Sequence, residues 1–142
     1  MSNYRTKRIV VASGYFNPLH KGHIEYLQRS RELGDQLIVI VNNDEQVRMK
    51  KGYVLLSAED RIKVVRELEC VDMAIESVDK TRSVVETLKL LHPHVFTNGG
   101  DQTNDSIPEA EYCRTMGIEL VDGLGEKIES SSDIVNRAII NA

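Results

Sequence analysis

Hydrophobic residues along this chain fall into short, nearly unbroken runs separated by longer amphipathic stretches. Arg8-Ile9-Val10-Val11-Ala12-Ser13 is β-branched and almost entirely apolar, the pattern of a strand buried on both faces of a parallel sheet. After a turn over Gly14 to Lys21, residues Gly22 to Leu33 carry Ile24, Leu27 and Leu33 at helical spacing, with Gly34 placed as a C-cap. A second apolar run, Gln36 to Asn42, completes a β-α-β unit whose crossover is right-handed. The turn from Gly14 therefore lies at the carboxyl edge of the first strand.

Asn43 to Leu56 shows no clear period and carries Arg48, Lys50, Lys51 and Gly52, as expected of a mobile basic loop at the same edge. Ser57 then caps a helix with Glu59 and Asp60 in its first turn and Ile62, Val65 and Leu68 on one face. Further along, the pattern predicts a strand at Asp72 to Ser77 and a helix from Thr81 to Leu91 with Val84, Val85, Leu88 and Leu91 as its stripe. Pro93 ends that helix. Val95 to Thr97 forms a strand feeding the turn Asn98-Gly99-Gly100-Asp101, followed by a helix over Pro108 to Met116 and a strand at Ile118 to Val121. Ser130 to Asp133 caps a last helix bearing Ile134, Val135, Ala138 and Ile139. Five strands alternating with five helices over residues 1–142, without linker or repeat, predict one doubly wound α/β domain, a five-stranded parallel sheet in three α/β/α layers. In such a fold ligands bind outside the carboxyl ends of the strands.

Composition narrows the function. A length of 142 residues suffices for one core, and the net charge of −4 gives no general basic face, which argues against nucleic acid as a partner. No run approaches the roughly 18 apolar residues of a membrane span. The N-terminal apolar run is too short for a signal peptide, so a cytoplasmic protein is expected. Cys70 and Cys113 lie far apart and fit reduced thiols; His92 and His94 have no cysteine or acidic neighbour, so no protein-held metal is expected.

The densest chemistry is Gly14-Tyr15-Phe16-Asn17-Pro18-Leu19-His20-Lys21-Gly22-His23. Two imidazoles one helical turn apart, next to free backbone N–H groups and a positive helix end, can hold a triphosphate and stabilise charge on a pentacoordinate phosphorus. Alternatively, each histidine simply caps the helix.

Gly-x-Phe-Asn-Pro-x-His-x-Gly-His resembles the signature of the nucleotidylyltransferase superfamily, and Ser130-Ser131-Ser132-Asp133-Ile134 is similar to its second landmark before the last helix. The resemblance implies a Rossmann-like enzyme that joins an NTP, bound with Mg²⁺, to a phosphorylated small molecule and releases pyrophosphate. It implies that His20 and His23 contact the phosphates and stabilise the transition state, and that Gly14, Tyr15, Phe16, Asn17 and Gly22 bind the nucleotide. Lys50 and Lys51 resemble the lysine that follows the second strand; Lys51, which precedes a glycine, is favoured as the catalytic one, although either can be a solvated loop charge. Arg61, in Glu59-Asp60-Arg61, is placed by the resemblance against substrate or nucleotide, or else is a helix-surface arginine pairing with Glu or Asp.

Asn98-Gly99-Gly100-Asp101 is similar to the Lys-Gly-Gly-Asp of heptose-phosphate adenylyltransferases, which makes Gly99, Gly100 and Asp101 nucleotide-binding candidates alongside Ser130, Ser131 and Ser132. The Arg-Thr-x-Gly of glycerol-3-phosphate cytidylyltransferases is absent, with Lys127 the nearest cation. These features favour ATP and a sugar phosphate such as heptose phosphate over CTP and glycerol 3-phosphate. A nucleotide-binding sensor without turnover is the rival from another class, and the family resemblance adds the expectation of a homodimer.

Overall fold

A computed structural model of the chain describes residues 7–99 and 108–124. In chain order its elements are β1 (Ile9–Gly14), α1 (Lys21–Arg31), β2 (Gln36–Val41), α2 (Asp44–Lys51), α3 (Ala58–Arg66), β3 (Met73–Glu76), α4 (Val85–Leu91), β4 (Val95–Gly99), α5 (Glu109–Met116) and β5 (Glu119–Leu124). All strand pairs are parallel, in the order β3-β2-β1-β4-β5. Parallel neighbours need crossovers, and crossovers lay helices on both sheet faces, so both sets of alternating side chains must be apolar. That is why the strands read as continuous runs.

One face carries Val10, Ala12, Val39, Val41 and Val95 against Tyr26 and Leu27 of α1 and Val65 of α3. The other carries Val11, Ile38, Ile40 and Phe96 against Val84 and Leu88 at α4 and Cys113 of α5. The three-layer doubly wound sandwich expected from the pattern, and the Rossmann-like fold that the resemblance implies, are therefore present. The chain winds outward from β1 through β2 to β3, then returns to lay β4 on the other side of β1. This reversal opens a crevice at the carboxyl ends of β1 and β4, the place where such sheets bind ligands.

The stretch expected to be a mobile loop, Asn43 to Leu56, instead contains α2. Asn43 Oδ1 accepts the Gln46 N–H at 2.9 Å while Gln46 Oε1 accepts the Asn43 N–H at 3.0 Å, a reciprocal box that satisfies two orphan donors of the first turn. Asp44 and Glu45 begin the helix, Arg48, Lys50 and Lys51 close it, and Gly52 at φ 83° terminates it. Only Gln46 and Val47 are buried, too few to leave an apolar period.

Gln46 also explains why α4 starts at Val85 and not at Thr81. Its Nε2 donates to the carbonyls of Thr81 (2.6 Å) and Ser83 (2.9 Å), which holds that segment out of the helix. The buried carboxylate of Asp79 then accepts the N–H groups of Glu86 (2.8 Å) and Thr87 (3.0 Å) in the first turn.

Smaller corrections have equally local causes. Helix α1 ends at a right-handed Glu32, and Gly34 serves close approach: a Cβ there would stand 2.6 Å from the Arg8 carbonyl oxygen. His92, at φ 49°, caps α4 before Pro93 is reached, and β4 runs on to Gly99. The expected helix after Ser130 lies outside the described residues.

Candidate active site

The turn after β1 is built around Phe16. Its backbone sits at φ 51°, and its buried ring folds back over Gly14, where a Cβ would lie 2.6 Å from Phe16 Cζ. Glycine at position 14 is thus required by packing. The Asn17–Pro18 peptide is cis, and Asn17 Oδ1 accepts the N–H groups of Leu55 (3.1 Å) and Leu56 (2.8 Å), which ties the turn to the segment beyond α2.

Helix α1 opens with a capping box made of imidazoles. His20, extended at the N-cap, accepts the Gly22 N–H on Nδ1 at 3.1 Å, and His23 Nδ1 accepts the His20 N–H at 3.1 Å. A nitrogen that accepts a backbone N–H carries no proton, so each neutral ring holds its hydrogen on Nε2. The rings stack with centroids 3.8 Å apart, and His23 stands edge-on to Phe16 at 5.0 Å. One motif therefore caps the helix and fixes two Nε2–H donors side by side.

Electrostatics keep these rings neutral. Burial, then the charge of His20, then that of Lys50 push the His23 pKa down to about 3, and burial lowers that of His20. Neutral donors beside a helix N-terminus attract an anion without the cost of holding two stacked imidazolium charges together.

Lys50 is the lysine that the structure brings to the histidines. Its Nζ lies 4.3 Å from the Tyr15 ring centre, and its charge is felt by His23. Lys51, favoured from its following glycine, is the half-buried last residue of α2. Helix α2 is what separates the two, because consecutive helical residues project about 100° apart.

Arg61 is not placed to touch a ligand. Its guanidinium is fully buried and donates to the carbonyls of Leu56 (2.8 Å), Tyr15 (2.8 Å) and Asn42 (2.6 Å) and to Asp44 Oδ1 (2.7 Å). It is a clamp under the site, joining the ends of β1 and β2 to α2 and α3. Gly22 contributes its N–H to the His20 cap, and Gly99 ends β4 at the crevice. Gly100, Asp101, Lys127, Ser130, Ser131 and Ser132 lie outside the described residues. His94, at the opposite edge of the sheet, accepts the Ile9 N–H on Nδ1 at 3.0 Å.

Sequence reasoning missed a buried polar network between α1 and the crevice. Tyr26 Oη donates to the Thr97 carbonyl at 2.9 Å and Ser30 Oγ shares a hydrogen bond with Thr97 Oγ1 at 2.9 Å. The buried stripe of α1 is Tyr26, Leu27 and Ser30, so the polar members hid it from a search for apolar spacing. A tyrosine one turn after His23 was the available signal.

A family model described as cytidylyltransferase-like matches residues 11–137. The chain belongs to this family. It is 34% identical over 139 residues to the bifunctional protein HldE of Pelobacter propionicus, covering 96% of this chain and 26% of that protein. It is 40% identical over 121 residues to the FAD synthase of Pyrococcus abyssi, covering 84% of this chain and 80% of that one. The crystal structure of the lipopolysaccharide core biosynthesis protein from Thermoplasma volcanium superposes with a TM-score of 0.74 at 30% identity, covering 84% of this chain and 98% of that one. The chain thus spans about a quarter of the HldE relatives' length and most of the FAD synthase. Within this family of nucleotidyltransferases, the His20–His23 box falls inside the matched region and at the sheet's switch point. Among the described residues, no helix is long and apolar enough to cross a membrane.

Proposed function

We propose that the chain transfers the nucleotidyl group of a magnesium-bound NTP, ATP in preference to CTP, to the phosphate of a small molecule, a sugar phosphate such as a heptose phosphate. An oxygen of the acceptor phosphate attacks the α-phosphorus in line. A new P–O–P bond forms as the bond from the α-phosphorus to the bridging oxygen breaks, and pyrophosphate carries away the electron pair. His20 and His23 donate from Nε2 to the phosphate oxygens, with Lys50 and the N-terminus of α1 adding positive potential; Lys51 is the second cation. Such transfer rests on positioning and charge stabilisation and needs no covalent enzyme intermediate.

The observation that carries this reading is the imidazole capping box, which leaves two preorganised Nε2–H donors at the mouth of the crevice. Adenylyl transfer is favoured by the likeness of Gly99-Gly100-Asp101 to the turn of heptose-phosphate adenylyltransferases and by the relative named FAD synthase, whose product contains an adenylyl group. The match to FAD synthase over 80% of its length supports a phosphorylated flavin as the second acceptor to consider.

Pyrophosphate release with ATP, CTP, GTP or UTP, each paired with a heptose phosphate, glycerol 3-phosphate or riboflavin 5′-phosphate, tests the proposal. Turnover with ATP and heptose phosphate is expected. Turnover confined to CTP and glycerol 3-phosphate would overturn both the base and the acceptor, and nucleotide binding without release in any pair would make the chain a sensor.

A further inference from the structure

Asn98 occupies the crevice end of β4, 4% exposed, and its Nδ2 has no hydrogen-bond partner. A buried amide donor left unmatched opposes folding, so its persistence calls for a reason. Only one other buried side-chain atom of the described residues shares this state: Asn17 Nδ2, in the turn after β1. The two unmatched amides therefore lie at the carboxyl end of β4 and in the turn just beyond its neighbour β1, on either side of the crevice.

Strand alternation settles which face Asn98 serves. Thr97 meets Tyr26 and Ser30 of α1, whereas Phe96 belongs to the cluster with Val84, Leu88 and Cys113. Asn98 shares the Phe96 face and stands two residues nearer the carboxyl edge. Glu109 stands one helical turn above Cys113 in the same direction, with Oε1 accepting the Val84 N–H at 3.0 Å. Beside Asn98 the register between β4 and β5 shifts: Thr97 pairs with Val121, but Gly99 pairs with Leu124, so two residues of β5 oppose one of β4. Bulges of this kind re-aim strands next to sites.

Taking nucleotidyl transfer as the reaction, we propose that Asn98 determines specificity on the acceptor side, its carboxamide donating to a neutral oxygen on the polyol body of a phosphorylated acceptor. In-line displacement requires the nucleophile to approach opposite the leaving group. The pyrophosphate end is held at the N-terminus of α1, on the Tyr26 face, so the acceptor comes from the α4 and α5 face, where Asn98 stands. The buried ionisable groups of that face, Asp79 and Glu109, are acids, which disfavours a second anionic group on the acceptor and suits hydroxyls. Rotation about χ2 interchanges the two ends of the carboxamide, so the N–H donor can turn to an entering oxygen. A sugar phosphate and the ribityl chain of riboflavin 5′-phosphate both present such oxygens.

The test compares the full chain with Asn98→Asp, which replaces the donor by an acceptor, and Asn98→Leu, which removes the polar group at similar size. KM values for ATP and for each acceptor are read from pyrophosphate release, acceptor binding by calorimetry, and folding by thermal melts. Both variants should raise the acceptor KM by about tenfold or more while leaving the ATP KM within about twofold, because a site built to hydrogen-bond a ligand loses most when that partner is removed. Asn98→Leu should also melt higher than wild type without ligands, which a merely structural asparagine would not allow. The heptose phosphate and riboflavin 5′-phosphate arms show which polyol is meant. If wild type turns over and the acceptor KM is unmoved, or the ATP KM rises instead, the role of Asn98 fails while the reaction stands. If wild type neither turns over nor binds any of the acceptors, the reaction and the role fail together.

Discussion

The hydroxyl of Tyr26 donates to the carbonyl of Thr97 at 2.9 Å, joining the helix that carries both histidines to the strand across the crevice. The same oxygen accepts the Ser13 N–H at 3.3 Å, so one phenol bridges α1, β1 and β4. Tyr26→Phe keeps the ring in the core and removes only this bridge. The buried Thr97 carbonyl and the half-buried Ser13 N–H then lose a partner, and a loss of about 1–3 kcal/mol is expected in urea unfolding. Turnover should fall less than in the histidine variants, because the donors remain but are less firmly placed. A variant as stable as wild type would show that the bridge contributes nothing.

Arg61 offers a sharper separation of structure from ligand contact. Removing its guanidinium takes the arginine donor from three carbonyl oxygens and from the Asp44 carboxylate, which keeps the Ala58 N–H. Arg61→Met should cost about 3 kcal/mol or more, since each of the three carbonyls left unmatched costs about 1 kcal/mol or more while the half-buried Asp44 can still meet water. Arg61→Lys should recover little, since an ammonium cannot fork to acceptors so spread. If either variant unfolds like wild type and shows only a raised KM, the arginine faces substrate after all.

Helix α2 supplies the control for the histidines. Its Asn43 and Gln46 make the same reciprocal box that His20 and His23 make at α1, from amides in place of imidazoles. His20→Asn and His23→Gln therefore copy a box this protein already uses and should leave stability nearly unchanged at neutral pH. Each removes one Nε2–H donor, so each should lower kcat by about 10²–10³-fold, the usual effect of losing one preorganised donor. An unchanged kcat in either would remove that ring from the reaction.

The same pair controls acid sensitivity. His23 titrates near 3 when folded against 6.5 for its ordinary value, and His20 is shifted in the same direction. Between these values the unfolded chain binds a proton that the native state excludes, so stability rises with pH. The contribution is complete above about pH 6.5 and is lost progressively as pH falls toward 3. Protonation would also destroy both Nδ1 caps. Urea midpoints should fall from pH 7 to pH 5 in wild type and fall less in the double variant; parallel curves would contradict the shift.

The parallel sheet was legible because a strand buried on both faces has no alternative to a continuous apolar run, and β1 and β2 supply two. The histidine motif was legible because its spacing matches one helical turn. Helix α2 was not, since a two-turn helix that buries only Gln46 and Val47 leaves no period, although the Asn43 and Gln46 cap spacing was present to be read. Arg61 misled for a related reason: an arginine in an exposed-looking Glu-Asp-Arg gives no sign that the carbonyls of Tyr15 and Asn42, from distant segments, converge on it. Tyr26 and Thr97 are 71 positions apart, and no local pattern couples them.

The two lysines of α2 can be told apart through His23. Because the Lys50 charge lowers the His23 pKa, Lys50→Met should raise it, a shift readable by imidazole titration in NMR spectra. The same variant removes the cation whose charge reaches His23 and should lower kcat/KM for the NTP by about tenfold, with the loss reduced at high salt, where screening already weakens the interaction in wild type. Lys51→Met, changing the neighbouring residue of the same helix turn, should leave the His23 titration in place. A larger kinetic effect from Lys51 with no movement of His23 in either variant would return the phosphate-binding role to Lys51, and the electrostatic coupling would then be incidental to the chemistry.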